Sequence, residues 1–296
     1  MGARVRYRSG IRMMREATPR QLPVSLPPAA GELLSSWINR HAAFYSVPPI
    51  IMLRHCLPEV SSLRAPDLHL TDDQARRLSN MFAAESDVMR RMTFTNVART
   101  SRRLIAARPL QSCQNCESAT MELMPILRSQ LLGWRITCPL CGDPFHDELP
   151  SPFRQYRGVA LLGEQLLDAE AERGVRTWAS PTDIACLLLM RRVPRPAPIA
   201  EELWRFRVLG AIIPELDDIV AAGQKDLPTP ASPILPLHLR PALLAGVAIV
   251  ERAGPEMLQM LRSHTVGENR TRFSNLADRI MTQTSRPRPP AQLQLI

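Results

Sequence analysis

Apolar residues recur along most of the chain at intervals of three and four, the spacing of a helix with one buried face. Leu33, Leu34, Trp37, Ile38, His41 and the Phe44-Tyr45 pair fall on one such face, in a helix predicted to follow Pro27-Pro28. Thr71 with Gln74 three residues later is a capping-box pattern, so a second helix is expected to start there and to bury Ala75, Leu78, Met81 and Phe82. A third begins with Ser86 as N-cap and turns Val88, Met89 and Met92 inward. Two short helices joined by about three residues make a helix-turn-helix candidate. In that arrangement Arg90 and Arg91 would flank a major groove, with Arg99, Arg102 and Arg103 near the phosphates.

The second half keeps the same period. Leu161, Leu162, Gln165, Leu166 and Leu167 open one helix. Ser180-Pro181-Thr182-Asp183 starts another, with proline at the first helical position and an acid in the first turn, and Ile184, Leu187, Leu188 and Leu189 fill it. After the turn Pro194 to Pro198 come Trp204, Phe206, Leu209 and Ile212-Ile213, and after the linker Pro228 to Pro236 come Leu243, Leu244, Val247 and Val250. Arg191, Arg192 and Arg195 form a second basic cluster, either phosphate-binding or merely solvated.

The helical pattern is interrupted by Cys113-Gln-Asn-Cys116, 21 residues, and Cys138-Pro-Leu-Cys141-Gly142. Each CxxC turn presents two thiolates to one ion, and two turns complete the tetrahedral set that zinc prefers. The ligands predicted for one structural zinc are therefore Cys113, Cys116, Cys138 and Cys141, in a zinc ribbon whose Gly142 takes a positive φ. Leu131-Leu132, Trp134 and Ile136 fit a short strand leading into the second knuckle. Four thiolates leave no open position for water, so the metal stabilises rather than catalyses. Two rival readings are a redox CxxC, which lacks a βαβ setting, and an open site in which His146 ligates and Glu148 acts as base. Cys56 and Cys186 sit among apolar neighbours and are read as core. The fold class expected is mainly α, with a helical N-terminal domain carrying the helix-turn-helix-like hairpin, a central zinc ribbon and a helical C-terminal domain.

Charge and proline refine this picture. A net charge of +9 attracts polyanions, nucleic acid above all, although Lys225 is the sole lysine and a genome rich in G and C would also favour arginine. Six cysteines, four in CxxC pairs, suit a reducing compartment, and no apolar run reaches the roughly 18 to 20 residues of a membrane span. A cytoplasmic protein with no membrane partner is expected. Boundaries are predicted as a basic flexible arm over 1–22, the N-terminal helical domain over 23–108, the ribbon over 109–150, the C-terminal helical domain over 151–285 and a flexible tail over 286–296. No glycine-rich phosphate loop, GxxxxGK[ST] motif or clustered acid set for two-metal chemistry is present, so no catalytic residue is assigned and the protein is not expected to be an enzyme.

Leu22-Pro23 followed by Gly31-Glu32-Leu33-Leu34-Ser35-Ser36-Trp37-Ile38-Asn39-Arg40-His41-Ala42 resembles the N-terminal signature of TniQ proteins, which reads roughly GESLxSWLxRxA. Trp134-Arg-Ile-Thr-Cys138-Pro139-Leu140-Cys141 resembles the family's second zinc knuckle, with cysteine in place of its frequent histidine. Arg240-Pro-Ala-Leu-Leu-Ala with Gly254-Pro255-Glu256 loosely resembles the family's helical C-terminal part. The resemblance implies a non-catalytic target-selection adaptor of a bacterial transposition system. Its implied partners are DNA or a guide-RNA complex, an AAA+ regulator and, through it, the transposase, and it leaves room for a homodimer. The other readings are a zinc-ribbon/helix-turn-helix transcription regulator and an RNA-binding subunit of an RNA-guided complex.

Overall fold

The computed structural model describes residues 21–117, 124–147, 150–193, 207–216 and 233–284. These are mainly helical; they contain no strand, and extended pairing among them is confined to isolated bridges. They divide into two compact units. One holds Leu34–Thr93 with the described residues before Ala29, and the other holds Ala29–Leu33 with the described residues from Phe94 onward. The expected turn Pro194 to Pro198, Trp204, Phe206, Arg195 and the tail 286–296 lie outside the described residues, as do residues 1–20 of the expected arm and 228–232 of the expected linker.

The first unit contains α1 (Leu34–Phe44), α2 (Pro49–Cys56), α3 (Arg64–Leu68), α4 (Asp72–Phe82) and α5 (Ser86–Arg91). Trp37 and His41, one turn apart on α1, grip the backbone of Leu26 from both sides. The indole Nε1 donates to Leu26 O at 2.9 Å, and Leu26 N donates to His41 Nε2 at 2.9 Å. That second bond puts the imidazole proton on Nδ1, which donates to Trp37 O. Both rings pack against Phe82 of α4, the indole tilted and the imidazole edge-on. Asp67, fully buried, accepts from Ser35 N and Ser35 Oγ and so satisfies an amide at the start of α1. Phe44 departs from the expected face: it is 54% exposed, because α1 ends there and the chain turns away at Ser46 with a positive φ.

The capping box of α4 is present, with Thr71 Oγ1 accepting from Gln74 N and Gln74 Oε1 from Thr71 N. The turn into α5 has no glycine, and Ala83 takes the left-handed conformation itself, at φ 52°. Ser86 is the first helical residue rather than the N-cap; Glu85 holds that place without a side-chain capping bond.

In the second unit, a single turn α6 (Gln114–Glu117) precedes α7 (Arg157–Arg173), α8 (Pro181–Leu188), α9 (Arg240–Ala253), α10 (Pro255–Ser263) and α11 (Gly267–Thr284). Ser180 caps α8 by accepting from Asp183 N, with Pro181 in its first turn. Gly163 lets α7 touch α9: a Cβ there would sit 2.0 Å from Leu244 O. Leu209 lies in a 3-10 turn, Val208–Ala211, and Ile212-Ile213 follow it rather than continuing a helix. No helix of the described residues is long and apolar enough to cross a membrane.

Candidate metal centre

The two CxxC segments, far apart in sequence, meet in the second unit. Cys116 N donates to Cys113 O across the first knuckle. In the second, Gly142 N donates to Cys138 O, and Gly142 supplies the positive φ, 80°, that closes the turn. Isolated bridges align Ser112 with His146 and Thr137 with Pro144 on either side, and Asn115 Nδ2 donates to Asp143 Oδ2 at 2.6 Å between the knuckles. The expected strand before the second knuckle is absent. Arg128–Leu131 is a 3-10 turn, and Leu132 and Thr137 pair in isolated bridges.

All four sulfurs lie within 4.8 Å of one another, with Cys113 Sγ 3.4 Å from Cys141 Sγ and Cys116 Sγ 3.8 Å from Cys138 Sγ. A tetrahedron with Zn–S bonds of about 2.3 Å has sulfur–sulfur edges of about 3.8 Å, so the donor set fits a single zinc-sized ion. No pair is bonded as a disulfide; all six cysteines are free. Crowding splits the thiols. Burial pushes Cys113 up, but the Cys116 amide and the adjacent sulfurs outweigh it and its pKa falls. Burial and neighbouring thiols push Cys116 up to about 12, and Cys141 rises to about 11 against the pull of the Asp143 amide, chiefly through Cys113. Once one thiolate has formed, its neighbours resist ionising, and a divalent cation relieves that repulsion. His146 lies outside the sulfur cluster with its ring exposed, and Glu148 lies outside the described residues. Cys56 and Cys186 are buried away from the cluster, each with a pKa raised chiefly by burial.

Residues that sequence reasoning missed hold this cluster in place. Glu164 of α7 accepts from Ile136 N, Thr137 N and Thr137 Oγ1, immediately before Cys138. One turn later Asp168 accepts from Trp134 Nε1 at 2.7 Å and pairs with Arg135. Burial raises the Asp168 pKa to about 6 against the pull of Arg135. Arg240, 2% exposed at the start of α9, donates to Arg135 O and to Gln111 Oε1, the latter two residues before Cys113. Both knuckles are therefore tied to helices that follow them. The available sequence signal was a pair of acids, Glu164 and Asp168, four apart among the leucines of α7.

The five arginines singled out for nucleic acid are divided between the units: Arg90 and Arg91 in the first, Arg99, Arg102 and Arg103 in the second. Arg90 pairs with Asp72 at 2.6 Å and with Asp87, and Arg102 donates to Val97 O and Thr95 O. Arg91, Arg99 and Arg103 are exposed. Arg191 and Arg192 of the other basic cluster are half-buried.

Glu32 of the Gly31-Glu32 pair is fully buried, accepts from Ala29 N and pairs across a bridge with Leu127, while Gly31 turns at φ 71°. Neither the curated proteins nor the solved structures contain a match to this chain. A family model does match, over the stretch that holds the Gly31-Glu32 turn, the Trp37–His41 face and all four clustered cysteines: residues 23–152 are similar to the TniQ family.

Proposed function

We propose that the chain is a non-catalytic target-selection adaptor of a bacterial transposition system, stabilised by one structural zinc on Cys113, Cys116, Cys138 and Cys141. The observation that carries this reading is the closure of four thiols to within 4.8 Å inside the stretch similar to the TniQ family. When bound, the zinc neutralises thiolate charge and locks the two knuckles together. The surrounding residues do the rest: Glu164 and Arg240 orient the segments that carry the sulfurs, and Asn115 joins the knuckles.

The adaptor engages nucleic acid or a targeting complex with exposed arginines and recruits an AAA+ regulator and, through it, the transposase. Arg91 and Arg99 suit phosphate contact best, since they are exposed, whereas Arg90 is engaged by two acids, Arg102 by backbone carbonyls, and Arg103, though exposed, lies in the field of Asp183. The test is co-purification of the zinc-loaded full chain with the products of its neighbouring genes, scored for an AAA+ protein and a transposase, with duplex DNA and structured RNA as competitors. Capture of the AAA+ protein is expected. Operator-like duplex binding with no AAA+ capture would assign a transcription regulator instead, and preference for structured RNA with no AAA+ capture would assign an RNA-binding subunit.

A further inference from the structure

A cleft of about 280 Å³ opens in the second unit between the knuckle that carries Cys138 and Cys141, the residues leading into α7, and the start of α9. Its walls include Ile136, Phe145, Phe153 and Leu237. Pro144, Pro150 and Pro241 also line it, and prolines bring no N–H. The hydroxyls that line it are already committed, Thr137 Oγ1 to Glu164 and Ser151 Oγ to His238 O at 2.7 Å. The remaining donors among the lining residues, on His146, Arg154, Arg157 and His238, belong to exposed or half-buried side chains, so the apolar walls suit an apolar side chain. Its volume lies at the bottom of the roughly 300 to 1,000 Å³ range of small-molecule sites and holds one or two side chains.

The rim carries charge of one sign. Arg154 and Arg157 are exposed, and neither has a carboxylate partner among the described residues. Asp147 is the sole acid among the lining residues, and its Oδ2 accepts from His238 N at 2.7 Å and lies 3.3 Å from the His238 ring Nδ1. Its charge is thus turned toward His238.

We propose that this cleft is a peptide-docking site for a protein partner that presents a large apolar residue flanked by acids, the apolar side chain entering the cleft and the carboxylates meeting Arg154 and Arg157. Charge complementarity selects this occupant over a neutral or basic one, and guanidinium forks suit carboxylates. The site stands whether or not the adaptor reading holds, because it depends on the chemistry of the peptide and not on which protein carries it.

The experiment uses the zinc-loaded full chain and a fluorescein-labelled 12-residue peptide with a central Leu-Phe pair among Asp and Glu. Control peptides carry Ser-Ser in place of Leu-Phe, or Lys in place of the acids; labelled oligo-dT is the nucleic-acid probe. The expected result is saturable binding of the acidic Leu-Phe peptide, weakened about tenfold or more by Ser-Ser and about fivefold or more by the double variant Arg154→Glu/Arg157→Glu. The basic peptide should gain affinity for that variant. Both replaced side chains are exposed, so zinc content and thermal midpoint should match the parent chain. No binding of the acidic peptide, affinity unchanged by the double variant, or an effect of that variant confined to oligo-dT would overturn the proposal, the last assigning the rim to nucleic acid.

Discussion

Glu164 accepts both the amide and the hydroxyl of Thr137, at 3.2 and 2.9 Å, immediately before Cys138. The carboxylate is 3% exposed, and its removal leaves buried donors unpaired. Glu164→Ala should cost about 3 kcal/mol in denaturant unfolding of the zinc-loaded protein, and weaken zinc retention about tenfold in competition with a chromophoric chelator. Lost stability with unchanged zinc affinity would reduce Glu164 to a fold residue with no hold on the metal.

Elemental analysis should find one zinc per chain in protein purified without chelator, and Cys138→Ser should abolish it. Stripping the metal should lower stability by about 3 kcal/mol or more, since binding to a closed four-sulfur site is folding free energy. Cys186→Ser, at a buried position away from the cluster, should leave the zinc content at one.

Gly163→Ala forces a methyl to within 2.0 Å of Leu244 O, a backbone atom that moves only if α7 and α9 separate. A loss of about 3 kcal/mol is expected by thermal or chemical unfolding. A neutral result would mean that the two helices slide apart freely.

At Ala83 the effect should have the opposite sign. An L-residue in the left-handed region costs about 1–2 kcal/mol, and this exposed alanine has φ 52°. Ala83→Gly relieves that cost but loosens the unfolded chain, so a net gain of about 0.5 kcal/mol is expected in the denaturation midpoint.

Asp67 brings a pH dependence to the first unit. Burial raises its pKa from 3.8 to about 6, against the opposing pull of Ser35 and Arg64. The folded chain therefore holds this proton more tightly than the unfolded one. The contribution to stability is fully present below about pH 4 and is lost as pH rises through about 6, on the order of 2 kcal/mol. Asp67→Asn, which keeps the acceptor for Ser35 N, should flatten that fall between about pH 4 and 7 when unfolding free energies are compared.

Features that were legible in the sequence are those written within a few residues. The Thr71–Gln74 box, the Ser180 cap and the positive φ of Gly142 follow from local chemistry, and the spacing of two CxxC turns announces the meeting of four thiols. What escaped depends on distant partners. Arg240 reaches Gln111 across 129 positions, and no window of the sequence connects an arginine beginning a helix to the approach of a cysteine turn. The strand expected around Trp134 does not form because, although its alternating apolar residues are buried in the core, its backbone pairs only in isolated bridges, Ile105 with Leu132 and Thr137 with Pro144, while Glu164 takes the Ile136 and Thr137 amides. The engagement of Arg90 and Arg102 was equally hidden, since exposure and pairing follow from the fold.

The short stretch Ala29–Leu33 groups with the second unit although the chain on both sides of it belongs to the first. Its backbone is paired with residues far downstream: Leu33 N donates to Ile126 O, and Arg128 N donates to Gly31 O. A gene fragment ending at Thr93 would thus carry five residues cut off from these pairing partners, and one beginning at Phe94 would leave the Ile126 and Arg128 pairings unmade. Dissection of this protein by a single cut would damage both products, and an intein or protease site placed there would report on a broken molecule and not on two working halves.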